Sequence, residues 1–197
     1  MKRIISFGFL VVHCMLSYSQ QPLSDNTVVS INILSADTLV RGIYMNFEEF
    51  QQNSPSVTAD FKSEEEKIPV NSIYNNMLVS RLFAWDENGY VPVNPNHWGI
   101  CDGENVFINY NGKYQKVSLD GKFALFTIAV YSLNSQRLTD YLLDVTNNKK
   151  TQVFLSNVEE LLLKENRALY DEFKKDKHKT MMLYTYINRL NKTYNYQ

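Results

Sequence analysis

From Trp98 to Tyr131, short runs of β-branched and aromatic residues are separated every nine positions by a turn dipeptide: Asp102-Gly103, Asn111-Gly112 and Asp120-Gly121. Asn-Gly and Asp-Gly accept the positive φ angles of a two-residue hairpin turn, so three in series predict a four-stranded antiparallel meander. Two-residue turns would also fix the partners, with positions summing to 205, 223 and 241 across the three hairpins. On that register Trp98, Phe107, Lys116 and Leu125 form one row, flanked by Ile100, Asn105, Ser118 and Phe123. The opposite face carries Gly99, Val106, Val117 and Ala124, then His97, Ile108, Gln115 and Phe126. Both faces are more than half apolar near their middles, whereas a sheet with one wet face alternates more cleanly. Each face is therefore covered, or one of them is a binding surface.

Before the meander, Val28 to Leu34 and Thr38 to Tyr44 read as strands. Asn46 and Glu49 have the spacing of a capping box, predicting a short helix that Asn53-Ser54-Pro55 stops. Glu64-Glu65-Glu66 reads as a solvated loop, Ile68 to Tyr74 and Met77 to Trp85 as strands. Asp86 to Asn96, with Gly89, Pro92 and Pro95, reads as loop. After the meander, Leu138 to Val145 and Lys150 to Leu155 form a hairpin, and Ser156 caps a helix with Glu159 in the box position. Val158, Leu162, Leu169 and Phe173 make one apolar helical stripe, and Leu183, Ile187, Leu190 and Tyr194 a second. The charged stretch Lys174 to Lys179 divides them into two helices or bends one. The expected fold is α+β: an antiparallel meander sheet with a short N-terminal helix, and C-terminal helices (about 156–192) packed on one face.

The first 19 residues read as a secretory signal peptide. Lys2 and Arg3 start it, Ile4 to Leu16 is its apolar run, and Ser17-Tyr18-Ser19 precedes cleavage between Ser19 and Gln20. Lipidation at Cys14 is the rival, but the residue before an acylated cysteine is small and here it is His13. No later stretch approaches the roughly 18 apolar residues of a membrane span. Residues 20–197 suit one sheet-rich domain. Without Lys2 and Arg3, 18 basic residues face 21 acidic ones, which leaves no electrostatic footprint for nucleic acid.

Chemistry is sparse. Cys101 is the one cysteine after the signal, so there is no internal disulfide, and a small buried hydrophobe is its plainest role. His97 and Cys101 would share a strand face about 13 Å apart, too far for a base and its nucleophile. His178 would have to fold back to reach Cys101. No metal-ligand spacing is present, and Asp102-Gly103-Glu104-Asn105 reads as a turn rather than a calcium loop. Glu48/Glu49 and Asp86/Glu87 are carboxylate pairs without geometry, and no phosphate loop, nucleophile elbow or dinucleotide fingerprint occurs. No catalytic residue, metal or cofactor is expected.

The chain is richest in aromatics, with twelve tyrosines after the signal beside Trp85 and Trp98. The row Trp98, Phe107, Lys116 would place a cation beside two rings, a platform for a sugar ring or a partner's apolar surface. The competing reading buries those rings beneath the C-terminal helices, with Lys116 reaching to water.

Gly42-Ile43-Tyr44-Met45-Asn46-Phe47-Glu48-Glu49-Phe50 with Asn53-Ser54-Pro55, and Trp98-Gly99-Ile100-Cys101-Asp102-Gly103 with Val106-Phe107-Ile108-Asn109-Tyr110, resemble motifs of exported, uncharacterised Bacteroidetes proteins. Leu169-Tyr170-Asp171-Glu172-Phe173 and Tyr186-Ile187 with Asn191 resemble that group's helical tail. The resemblance implies periplasmic, outer-membrane-associated or extracellular residence, and carries no catalytic residue. Asp37-Thr38-Leu39 would also resemble an O-glycosylation site there. The function expected is an exported, non-enzymatic binding or interaction protein with a glycan or protein partner. The alternatives are an exported hydrolase with a carboxylate site and a structural accessory subunit of an envelope assembly.

Overall fold

A computed structural model describes residues 32–69, 76–132 and 135–194. The signal segment and residues 28–31 of the first expected strand lie outside them. So do residues 70–74 of the strand expected over Ile68 to Tyr74. The fold is α+β. A seven-stranded antiparallel sheet has the order β1-β5-β6-β7-β8-β9-β10, and a second sheet the order β2-β3-β4. The large sheet comprises β1 (Gly42–Tyr44), β5 (Gly99–Cys101), β6 (Val106–Tyr110), β7 (Lys113–Ser118), β8 (Phe123–Ser132), β9 (Ser135–Asp144) and β10 (Lys149–Gln152). The small one comprises β2 (Phe61–Pro69), β3 (Asn76–Asp86) and β4 (Gly89–Pro92).

Of the three turns, the middle one has the expected form. Asn111 and Gly112 take φ of 53° and 73°, and Val106 faces Val117. The other two are longer. Cys101 pairs with Val106 because the Asp102 carboxylate accepts the N–H groups of Glu104 and Asn105, drawing four residues into the turn. Ser118 pairs with Leu125, again two positions beyond the two-residue register. Here a side chain takes the strand's place: Asn191 accepts from the Phe123 N–H at 2.9 Å and donates to its carbonyl at 3.0 Å. Asn191→Ala would orphan two buried backbone groups, an expected loss of about 2–3 kcal/mol in urea unfolding; a loss below about 0.5 kcal/mol would show water replacing the amide.

Both faces of the large sheet are covered. Tyr44, Cys101, Val106, Ile108, Val117, Ala124, Phe126 and Leu143 pack on one face with Ile33 of α1 (Asn32–Ser35) and Phe50 of α2 (Phe47–Gln51). The other face is shared. At its β1–β5–β6 end Ile43 and Ile100 meet Leu82 and Ala84 of the small sheet. At its β8–β9 end Phe123 and Leu142 meet the helices α3 (Leu155–Glu165), α4 (Arg167–Lys175) and α5 (Leu183–Asn191). Both expected stripes lie in that cluster, so the C-terminal helices do cover one face of the meander.

Asn46 caps α2 as expected, its Oδ1 accepting from the Glu49 N–H at 2.9 Å, and the reciprocal arm of the box is shifted by one residue: Glu49 accepts from the Met45 N–H at 2.8 Å and from the Asn46 side-chain amide at 2.9 Å. Several expectations need correction. Residues 32–34 of the first strand are helical, and of Thr38 to Tyr44 only Gly42–Tyr44 is strand. Glu64-Glu65-Glu66 lies inside β2, where Lys62 and Arg81 pair with Glu64 and Glu66. The stretch Asp86 to Asn96 contains β4. Phe154, not Ser156, occupies the cap position of α3, without a side-chain hydrogen bond. The tail forms three helices because Asn166 ends α3 and caps α4 through the Leu169 N–H.

Candidate functional site

The expected aromatic row does not form. Phe107 and Lys116 face each other across β6 and β7, but Trp98 leaves the alternation. Gly99 has the Phe107 carbonyl oxygen 2.4 Å from where a Cβ would stand, and at this close approach the chain turns Trp98 into the opposite core. There its ring stacks on Phe50 at 4.2 Å, edges against Tyr44 at 6.3 Å, and donates through Nε1 to Asn148. Phe107 packs in the cluster with Ile100 and Leu82, and Lys116 is exposed. Ser19 and Gln20 lie outside the described residues.

The same break puts His97 and Cys101, expected on one strand face but too far apart to react, into different clusters. His97 is buried beside Tyr114, which packs with Phe107, whereas Cys101 lies in the Trp98 cluster. A carbonyl only accepts, so His97 Nδ1 donates to the Asn94 oxygen at 2.6 Å and Nε2 accepts from Tyr114 at 2.7 Å. Burial lowers the His97 pKa, and burial raises that of the Cys101 thiol. A neutral, satisfied histidine and a protonated thiol in separate cores do not form a dyad. His178 lies in the exposed turn after α4, on the helical side.

Carboxylate chemistry is no better placed. Glu49 is used in capping, and Asp86 caps the Asn88 N–H in the β3–β4 turn. Asp102, Glu159, Glu165 and Glu172 all titrate below their ordinary values, the reverse of what a general acid needs. Among the described residues no three His, Cys, Asp or Glu side chains gather as a metal site. A recess of about 60 Å³ between β10 and α3, lined by Asp144, Lys149, Asn157 and Glu160, is far below the size that holds a small organic ligand.

An aromatic platform does exist, on the outer face of the small sheet. Lys62, Phe83 and Pro92 lie opposite one another on β2, β3 and β4, and Trp85 faces Tyr90 one row along. Strand alternation sends Leu82 and Ala84 inward and leaves these rings outside. Trp85 is 52% exposed and Tyr90 42%. Their centroids are 5.1 Å apart at 83°, an edge-to-face pair in which each ring restrains the other. The Lys62 ammonium lies 4.6 Å from the Tyr90 centroid and 5.8 Å from that of Phe83, and Glu64 holds it at 2.8 Å.

No family model, curated protein or solved structure matches this chain. The platform is therefore read on its own chemistry. Its rim is polar: Asp86, Glu87 and Asn88 form the exposed turn beside the Trp85–Tyr90 pair. The strand ending in Phe83-Ala84-Trp85 was legible in the sequence. Its partner was not, because Gly89 and Pro92 read as loop residues. Pro92 closes an edge strand, where its missing N–H costs little.

Proposed function

We propose that this protein is an exported, non-enzymatic binding protein of the bacterial envelope or exterior, and that its ligand is a glycan stacked on Trp85. The observation that carries the reading is the exposed Trp85–Tyr90 pair with Phe83 and Lys62 on the outer face of the small sheet. The C–H bonds on one side of a pyranose ring present positive charge to the negative face of an indole. Hydroxyls around that ring need donors and acceptors at its edge, and Lys62, Asp86 and Asn88 supply both. The apolar area is three rings wide, which suits one or two sugar units better than the roughly 800 Å² a stable protein interface takes from each partner. The signal-peptide pattern of residues 1–19 supports export, and no helix among the described residues is long and apolar enough to cross a membrane.

A thermal-shift screen against defined oligosaccharides and peptidoglycan fragments tests this. A ligand at 100 times its dissociation constant adds about 2.7 kcal/mol, or roughly 5–10 °C for a chain of this size. The shift is expected to vanish in Trp85→Ala while the unliganded Tm changes by less than about 2 °C, since an exposed ring contributes little to stability. A shift that persists in Trp85→Ala, or none with any saccharide, would remove the proposal.

A further inference from the structure

The chain carries 20 basic and 21 acidic residues, yet Lys174 to Lys179 holds four lysines and one acid. This run leads from α4 to α5, and its one acid is spent on the turn itself. Asp176 accepts from the His178 N–H at 2.7 Å and from the Tyr186 hydroxyl at 3.2 Å. Lys174 is held by Glu159 of α3 at 2.7 Å, and the Lys179 ammonium lies 5.7 Å from the Phe173 ring. Lys175 and Lys177 are exposed and enter no ion pair among the described residues. The Met181 N–H donates to the His178 carbonyl at 2.9 Å and the Met182 N–H to that of Lys179 at 3.1 Å. These two turns hold both methionines directly beside the basic run.

The methionines are not packed away. Met181 is 77% exposed, Met182 37% and Tyr184 43%. α5 begins after Met182 with no side-chain cap, at a position that favours Ser, Thr, Asp or Asn. Tyr184 donates to the Asp140 carboxylate of β9, which Thr127 also holds at 2.6 Å. Leu138 is the next side chain on that face of β9, about 7 Å along the strand. It is 67% exposed. Tyr184 thereby joins Leu138 to the methionines in one apolar patch, with lysines at its border.

We propose that this patch rests on an anionic lipid surface, its lysines on the headgroups and Met181 and Tyr184 at the boundary with the acyl chains. Charge decides against the two occupants nearest at hand. Outside the described residues Asp25 is the one acidic side chain, so no other segment of this chain brings the anions that the lysines attract. A second copy docked about a two-fold axis would set the same lysines against one another. Shape then favours a bilayer over an acidic protein. Met181 stands out from a turn instead of lining a groove, and a flexible thioether beside a phenol suits an interface that yields around them. The surface lies on the helical side of the fold, separate from the aromatic platform, and does not depend on a glycan ligand.

Sedimentation with vesicles tests this, comparing phosphatidylcholine alone with phosphatidylcholine containing about one third phosphatidylglycerol. The anionic vesicles are expected to bind about a hundredfold more tightly at low salt, since each of three lysines near such a surface is worth about fivefold. That gain should close at about 1 M salt, where the Debye length is about 3 Å. Lys175→Gln, Lys177→Gln and Lys179→Gln together should remove most of it. Met181→Ser should weaken binding about fivefold with the Tm little changed, because this side chain stands in water in the free protein. Methionine methyl NMR locates the contact: the Met181 signal should broaden beside spin-labelled lipid, while that of Met45, packed between the sheets, should not. Equal binding to both kinds of vesicle, or undiminished binding by the lysine variant, would overturn the proposal. So would retention on polyglutamate-coated beads that matches the anionic vesicles and ignores Met181→Ser, since the partner would then be an acidic chain and not a bilayer.

Discussion

Trp98→Ala is expected to cost about 3–5 kcal/mol, the range for removing a large aromatic from a packed core. The indole is 9% exposed and fills the centre of a ring cluster with Phe50, Phe47 and Tyr44. No neighbour can collapse into its volume without losing the Phe50 stack, so most of the cavity term should be felt. Asn148, whose Oδ1 accepts from the indole nitrogen at 3.1 Å, keeps a second donor in Lys150 and is not left unpaired. The loss is therefore one of packing. Urea unfolding measures it directly, and a Tm lowered by roughly 6–20 °C should accompany it. The comparison with Trp85→Ala is the informative one: the two tryptophans should separate, one carrying stability and the other ligand affinity. A cost below about 1 kcal/mol for Trp98→Ala would mean that the ring cluster does not anchor α2 to the sheet.

That separation shows what the sequence could and could not express. The meander, the capping box of α2 and both helical stripes were legible because each rests on local signals: turn dipeptides, a three-residue spacing and a 3.6-residue period. A platform of two rings and a cation was also legible as a kind of site. Its location was not. Strand alternation carried Trp98 onto the same face as Phe107, and the close approach of Gly99 to the Phe107 carbonyl, a tertiary event, reversed it. Trp85 meets Tyr90 only after the chain pairs β3 with β4 through residues whose glycine and proline argue for loop. The shifted register at Leu125 has the same origin, since the group that displaces the strand is Asn191, 68 residues away from Phe123. Local rules failed where a distant group supplied the partner.

A mostly buried ion pair, Lys122–Glu165, ties α3 to the turn before β8, and its acid sensitivity gives the other large effect. Glu165 at the end of α3 is 11% exposed at its side chain. Burial opposes its ionisation, but hydrogen bonds from Lys122 at 2.7 Å and Tyr194 at 2.5 Å, the Lys122 charge and the nearby Lys164 outweigh that and hold its pKa at about 2, below the ordinary 4.5. The folded state therefore keeps the carboxylate ionised where the unfolded chain has already taken up a proton. Stability from this group is complete above about pH 4.5 and is lost as pH falls toward 2, a change of about 3 kcal/mol. Glu165→Gln should remove that part of the acid dependence. It should also cost about 3 kcal/mol at neutral pH, because Lys122, only 14% exposed at its side chain, is left without its anion. Urea unfolding of both proteins between pH 7 and pH 3 separates the two effects: the curves should lie apart at neutral pH and converge on acidification. Parallel curves would show that Glu165 is not the group whose protonation loosens the helices from the sheet.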